Sequence, residues 1–340
     1  MTISQEKTLT RVMIETIVRK ALRDVSDSPE RTIRNLVDMA QQFSKGRFQD
    51  QFFRTAQIML QNESSPYYRL VRDVCAHVDP ERLLTFGMNL GYNGCTLGAK
   101  KIREIEAAEG FNIPWAITLR MPDAMTEDLL EDYQRLLGQG ETLGIHVFFL
   151  FAKDAPEKII SLATAHPDSA FVLFWGDTPI GSRMLDEVGD AHNVMLAVPF
   201  SEAEEAQFAA LRARKLLFGA YLPYDEQNVQ EVLSGNAVEA MQQFAPVSIL
   251  VAADGCSKEL WQSVHRYALD ARRKQLYHTV LWELTLDTHY VDTVISGDAC
   301  SAGFTEEGCL YTPGAVYQEP AYNLHQAELA AILKRAFPKG

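Results

Sequence analysis

Apolar positions repeat at helical spacing through the first part of the chain. Between Glu6 and Val25 they fall at Leu9, Val12, Met13, Ile17 and Leu22, until Asp27-Ser28-Pro29 breaks the pattern. The same spacing predicts helices over 32–43 and 49–61. Another starts at Pro66, with Tyr68, Leu70, Val71 and Val74 on its apolar side. Asp79-Pro80 reads as an N-cap followed by proline in the first turn, opening a helix that runs to about Met88. Gly91-Tyr92-Asn93-Gly94-Cys95 reads as a turn. From Ile113 onward, short apolar runs alternate with amphipathic segments. The runs cover 115–119, 145–151, 171–175, 194–198, 216–221 and 247–252, with a longer one over 277–286. Runs without in–out alternation are strands covered on both faces, which is the mark of a parallel sheet. Repeated strand–helix units imply right-handed crossovers and a site at the C-terminal ends of the strands. Residues 296–320 are rich in Gly, Cys, Tyr and Pro; 310–317 predicts a hairpin turned at Pro313-Gly314, and 326–337 a final helix.

Composition narrows the function classes. Of 340 residues, 47% are hydrophobic and 23% charged, as in an ordinary globular protein. The net charge of -13 repels phosphate backbones and anionic bilayers, so neither nucleic acid nor membrane is an expected partner. The apolar runs are too short to span a bilayer, and residues 1–20 lack the continuous apolar core of a secretory signal. Five cysteines, an odd number at wide spacings, are expected to be reduced thiols in the cytoplasm.

Common catalytic motifs are missing: there is no P-loop, GxGxxG turn, HExxH helix or GxSxG elbow. Candidate site residues are therefore those just past the strands: Arg120, Lys153, Asp154, Trp175, Asp177, Tyr221, Tyr224, Asp254, Cys256 and Glu283. Each has a plainer reading. Asp154 and Asp177 suit helix caps or turns, Asp254-Gly255 suits a turn, and Trp175 either packs the rim or stacks a ligand. Glu283 interrupts the apolar run 280–284; pointing inward, it needs a partner or a raised pKa. Arg120 inside a barrel needs an anion, Glu283 or Asp254, and a buried ion pair between Arg120 and Glu283 is expected. Cys300 and Cys309 are weak metal candidates, with Asp298 or Glu319 as helpers. Two thiolates leave a tetrahedral site half empty, and small buried residues are the plainer reading.

Asn112-Ile113-Pro114-Trp115-Ala116-Ile117 resembles the lead-in to the first strand in one group of radical SAM proteins. So do Asp79-Pro80-Glu81-Arg82-Leu83-Leu84-Thr85-Phe86 and Ala99-Lys100-Lys101-Ile102-Arg103-Glu104 before it. Leu217-Phe218-Gly219-Ala220, Gly297-Asp298-Ala299-Cys300-Ser301-Ala302-Gly303 and the stretch from Leu310 to Pro320 extend the likeness, in order, over roughly residues 30–325. The resemblance implies a radical-SAM-like partial (β/α)6 TIM-type barrel over 112–295. A helical region over 1–111 precedes it, and an extension over 296–340, with a hairpin and a final helix, follows. Three family features are missing here. The first strand should be followed by three cysteines that anchor a [4Fe–4S] cluster, and 121–127 has none. The Gly-Gly-Glu-Pro that holds SAM is replaced by Phe151-Ala152-Lys153-Asp154-Ala155-Pro156, and a Pro-Cys by Glu319-Pro320. Cluster and SAM binding are thus expected to be lost. The expectation is a degenerate homologue, leaning away from catalysis, that binds a small molecule in the barrel mouth or a protein partner such as an active radical SAM enzyme. The alternatives are an enzyme that uses rim acids and Arg120 without a cluster, and a metal or iron–sulfur protein built on Cys300 and Cys309.

Overall fold

The structure is a computed structural model and describes residues 3–25, 27–43, 46–152, 156–176, 180–201 and 205–339. Helices come first: α1 (Ile3–Asp24), α2 (Pro29–Phe43), α3 (Arg47–Leu60), α4 (Pro66–His77) and α5 (Pro80–Gly87). Asp79 caps α5 by accepting from the backbone N–H groups of Glu81 and Arg82, and Pro80 stands at the first turn, where its missing N–H costs nothing. No turn follows at 91–95. The chain continues as a π-helical segment, Met88–Gly98, directly into α6 (Ala99–Glu109). Its glycines mark close packing. A Cβ on Gly98 would stand 2.2 Å from the carbonyl oxygen of Gly144, so this segment packs backbone to backbone against the chain at Gly144.

Strands and helices then alternate: β1 (Ala116–Arg120), α7 (Glu127–Leu143), β2 (Val147–Ala152), α8 (Pro156–Ala165), β3 (Ala170–Trp175), α9 (Ser182–Asp190), β4 (Val194–Pro199), α10 (Glu205–Ala213), β5 (Phe218–Tyr224), α11 (Val229–Ser234), α12 (Asn236–Phe244), β6 (Val247–Ala252), α13 (Lys258–Lys274), β7 (Val280–Glu283) and α14 (Leu284–Ser296). The run 277–286 is therefore not one long strand; it is a four-residue strand turning straight into a helix. After α14 come β8 (Ala302–Phe304), β9 (Leu310–Thr312), β10 (Ala315–Val316) and α15 (Leu329–Ala336).

Among the described residues the strands form one sheet in the order β10-β9-β8-β1-β2-β3-β4-β5-β6-β7. Pairing is parallel from β8 through β1 to β7, and antiparallel from β8 to β9 and β10. The sheet is curled. From β1 to β6 is five strand spacings, roughly 24 Å if flat. Yet Arg120 at the end of β1 meets Asp254 beyond β6 at 2.6 Å. α14 carries the chain from β7, at one end of the sheet, to β8, beside β1. Its fully buried Asp292 accepts from the backbone N–H of Trp115 at 2.6 Å and from the Ser301 hydroxyl, tying the approaches to β1 and β8 together. The result is a mixed α/β fold with a half-barrel sheet.

Candidate functional site

Register sorts the strand residues onto two faces. Thr118, Phe149, Val172 and Met195 pair in one row; Arg120, Phe151, Phe174 and Ala197 form the row above it, nearer the strands' C-terminal ends. Tyr221, Ile249 and Trp282 continue the same face. This is the inside of the curl, because Arg120 reaches Asp254 across it. The opposite face lies under the helices. Gly140 of α7 lets Phe148 approach, and Tyr224, Leu250 and Leu281 share a buried cluster with Val232, Val238 and Val264.

Burial on the inside does not follow the rows. Phe149, Val172, Phe174, Met195 and Ile249 are buried, so much of the lumen is filled with side chains. Thr118, Arg120, Phe151, Tyr221, Val251 and Trp282 are only half-buried, so the lumen opens to solvent beside them. Phe151 stacks on Phe174 with ring centroids 4.2 Å apart, and Tyr221 meets the edge of Phe174 at 5.4 Å. These three rings form a continuous aromatic wall. The Tyr221 hydroxyl is spent on the carbonyl of Trp175 at 2.7 Å. The indole N–H of Trp282, on the same face, is buried and has no hydrogen-bond partner.

Arg120 spans this mouth. Its two terminal nitrogens bond both oxygens of Asp254, at 2.9 and 2.6 Å. The Asp254 hydrogen bond, outweighing partial burial, raises the guanidinium's pKa further. The Arg120 carbon also lies 5.3 Å from the ring centre of Tyr311, a cation–π contact. Gly303 makes room for that ring, since a Cβ there would stand 2.3 Å from it. Tyr311 was not among the sequence candidates. Its signal was an aromatic in a short hairpin strand whose partner position is a glycine.

Several expectations change. Glu283 does not face the barrel interior and does not meet Arg120. Its register partner is Leu250, on the helix-covered face. There its two oxygens accept from the Tyr224 hydroxyl at 2.9 Å and the Leu286 N–H at 2.7 Å, which makes it the N-cap of α14. Burial pushes its pKa up to about 7. Tyr224 is likewise buried on that face, and Trp175, in register with Ala152, lies there too and is 6% exposed. The Cys256 thiol is buried against the carbonyl of Tyr224. Lys153, Asp154 and Asp177 lie outside the described residues. Of the sequence-chosen residues, Arg120, Asp254 and Tyr221 share the mouth.

The buried ion pair expected around Arg120 occurs elsewhere. Arg272 of α13 grips Asp287 of α14 through two bonds of 2.7 Å, His265 bonds the same carboxylate at 3.1 Å, and the Glu283 N–H donates to it at 2.9 Å. Cys300 and Cys309 are both buried but have different neighbours. Ser296 and Asp292 flank Cys300; Asn323 and Gln318 lie against the Cys309 sulfur. No group of three or more His, Cys, Asp or Glu side chains able to hold a metal occurs among the described residues.

The segment after β1 has its own packing. Met121 and Met125 are buried, at 1% and 6% exposure, and the Met121 N–H donates to the carbonyl of Phe151. Lys158 of α8 donates to the carbonyl of Met125 at 2.7 Å and pairs with Glu127. No thiolate is available anywhere from 121 to 127.

No family model and no curated protein matches the chain. Solved structures resemble it in fold. SuiB of Streptococcus suis bound to S-adenosylmethionine is 8% identical with a TM-score of 0.49, over 69% of this chain and 67% of that one. SuiB bound to its precursor peptide SuiA is 8% identical with a TM-score of 0.46, over 69% and 68%. The anSMEcpe structure with bound AdoMet is 10% identical with a TM-score of 0.43, over 67% and 80%.

Proposed function

We propose that this chain is a radical-SAM-like half-barrel that works without an iron–sulfur cluster or SAM, and that its mouth binds a small molecule. One observation carries the reading. The segment after β1, where the resembling family anchors its cluster, is closed by Met121 and Met125 and pinned by Lys158. A cluster needs thiolate donors, and the donor set of 121–127 does not fit one. The half-buried rings of Phe151 and Tyr221 on the face that carries Arg120 support the second half of the reading, since ligand sites combine apolar walls with a few placed polar groups. With Glu283 and Tyr224 on the other face, the set of rim acids that a cluster-independent enzyme would use shrinks, and binding is the simpler role for what remains.

Anaerobic reconstitution with iron and sulfide tests the first half, together with calorimetric titration of SAM. The expected result is substoichiometric iron, no broad visible charge-transfer band and no SAM binding. Stoichiometric iron and sulfide, or saturable SAM binding, would overturn the reading.

A further inference from the structure

Granting that the mouth is a binding site, we infer that its ligand is a flat aromatic acid. The acid takes the place of Asp254 on Arg120, and the ring lies against Phe151 and Tyr221. Three observations point to this chemistry. The only cation the described mouth residues present inward is Arg120, held by a bidentate bridge to Asp254 and by the face of Tyr311. A guanidinium fork matches a carboxylate, and an aromatic face on one side leaves its plane defined. Next, the bridge is open to solvent. The Asp254 side chain is 77% exposed and that of Arg120 41%, so water and other anions can compete at both ends. Asp254 also sits in a turn next to Gly255 at φ +87°, on a loop and not on a strand. An incoming acid therefore exchanges one carboxylate for another on the same fork.

Spacing supplies the third observation. Phe151 is the register partner of Arg120 on the adjacent strand. Parallel strands stand about 4.8 Å apart, which suits an acid group bonded directly to a planar ring. The ring then meets the half-buried faces of Phe151 and Tyr221, with Phe174 closing the wall behind them.

Naphthoate and its uncharged amide, titrated against the full chain by tryptophan fluorescence, form the test. Wild-type protein should bind one naphthoate saturably and the amide about tenfold more weakly or worse, since a charge-assisted bidentate contact is lost. Arg120→Met should weaken naphthoate by about tenfold or more. Asp254→Asn should tighten it, because the competing carboxylate is gone. Unfolding midpoints of both variants should stay near wild type, which keeps the comparison valid. Equal affinity for acid and amide, or unchanged affinity in Arg120→Met, would refute the acid-binding assignment while leaving a mouth that binds neutral ligands. Absence of naphthoate binding would refute it outright. Iron and SAM measurements report independently on the cluster-free reading.

Discussion

Glu283 is conspicuous in the sequence, an acid inside the run Val280-Leu281-Trp282-Glu283-Leu284. That it is buried and needs a partner was legible there; the face it points to was not. Side chains in a strand alternate, so a shift of one position moves a residue from lumen to helix side. Trp282 took the lumen and Glu283 went under the helices. The consequence is a pH effect whose sign follows from the cause. Burial raises the folded-state pKa to about 7, while the unfolded chain keeps the ordinary 4.5. The resulting stabilisation is fully present below the unfolded value and is lost as pH rises through about 7. Burial outweighs the Leu286 N–H, the Tyr224 hydroxyl and His265, which all favour the charged carboxylate, while the nearby Asp287 adds to the upward shift. Glu283→Gln removes the titration. Its unfolding free energy relative to wild type should rise between about pH 5 and about pH 8, by up to about 3 kcal/mol. Denaturant unfolding across that range is the measurement; a constant difference would mean that Glu283 ionises normally. Asp292, also raised to about 7 by burial, was no harder to see in principle. It is an acid beside Val291 in an apolar stretch, and α14 hid it because 277–286 read as a strand.

Elements were legible to different degrees for physical reasons. β1 to β6 showed as continuous apolar runs because both of their faces are covered, by helices outside and by side chains inside. α5 showed through Asp79-Pro80. α14 did not, because it begins on the residue after β7, with no glycine, proline, Ser or Asp between them; a buried Glu serves as its cap. The π-helical segment 88–98 was also missed, since Gly91 and Gly94 suggest a turn, whereas Gly94 and Gly98 permit close packing on Val147 and Gly144. At this scale the strong ion pair joins α13 to α14. The Asp287 side chain is 7% exposed, and Arg272 and His265 both lie on it. Removing Arg272 leaves that carboxylate buried against His265 and the Glu283 N–H, so Arg272→Met should cost about 3–5 kcal/mol in urea unfolding. Combined with Asp287→Asn the loss should be smaller than the sum of the single losses. Additive losses would show that the pair does not interact. Arg120→Met, on the exposed mouth bridge, should cost no more than about 1 kcal/mol in the same experiment.

At the scale of the whole molecule, the start of the α/β region is fastened by residues 302–339. β8 extends the sheet beside β1, and α15 packs on α7 through Leu329, Ile332 and Leu333, all 0% exposed. Beyond α15 the backbone pairs with the segment before β1. The Asn112 N–H donates to the carbonyl of Phe337, and the Lys339 N–H to that of Gly110. The Lys339 ammonium reaches Glu106 at 3.0 Å, a carboxylate whose side chain is 2% exposed and whose other oxygen accepts from the Ile113 N–H. A chain ending at Gln326 loses three fully buried aliphatic side chains, about 5–9 kcal/mol of burial at about 1.5–3 kcal/mol each. It also uncovers the apolar side of α7 and strips the buried Glu106 of its cation. Domains have a total stability of about 5–15 kcal/mol, so the loss is comparable with the whole. The truncated chain should therefore lack a cooperative unfolding transition, followed by tryptophan fluorescence and circular dichroism together. If it instead unfolds cooperatively with the full-length midpoint and slope, the final residues are an appendage, and the half-barrel holds its curl through α14 and the Asp292 tie alone.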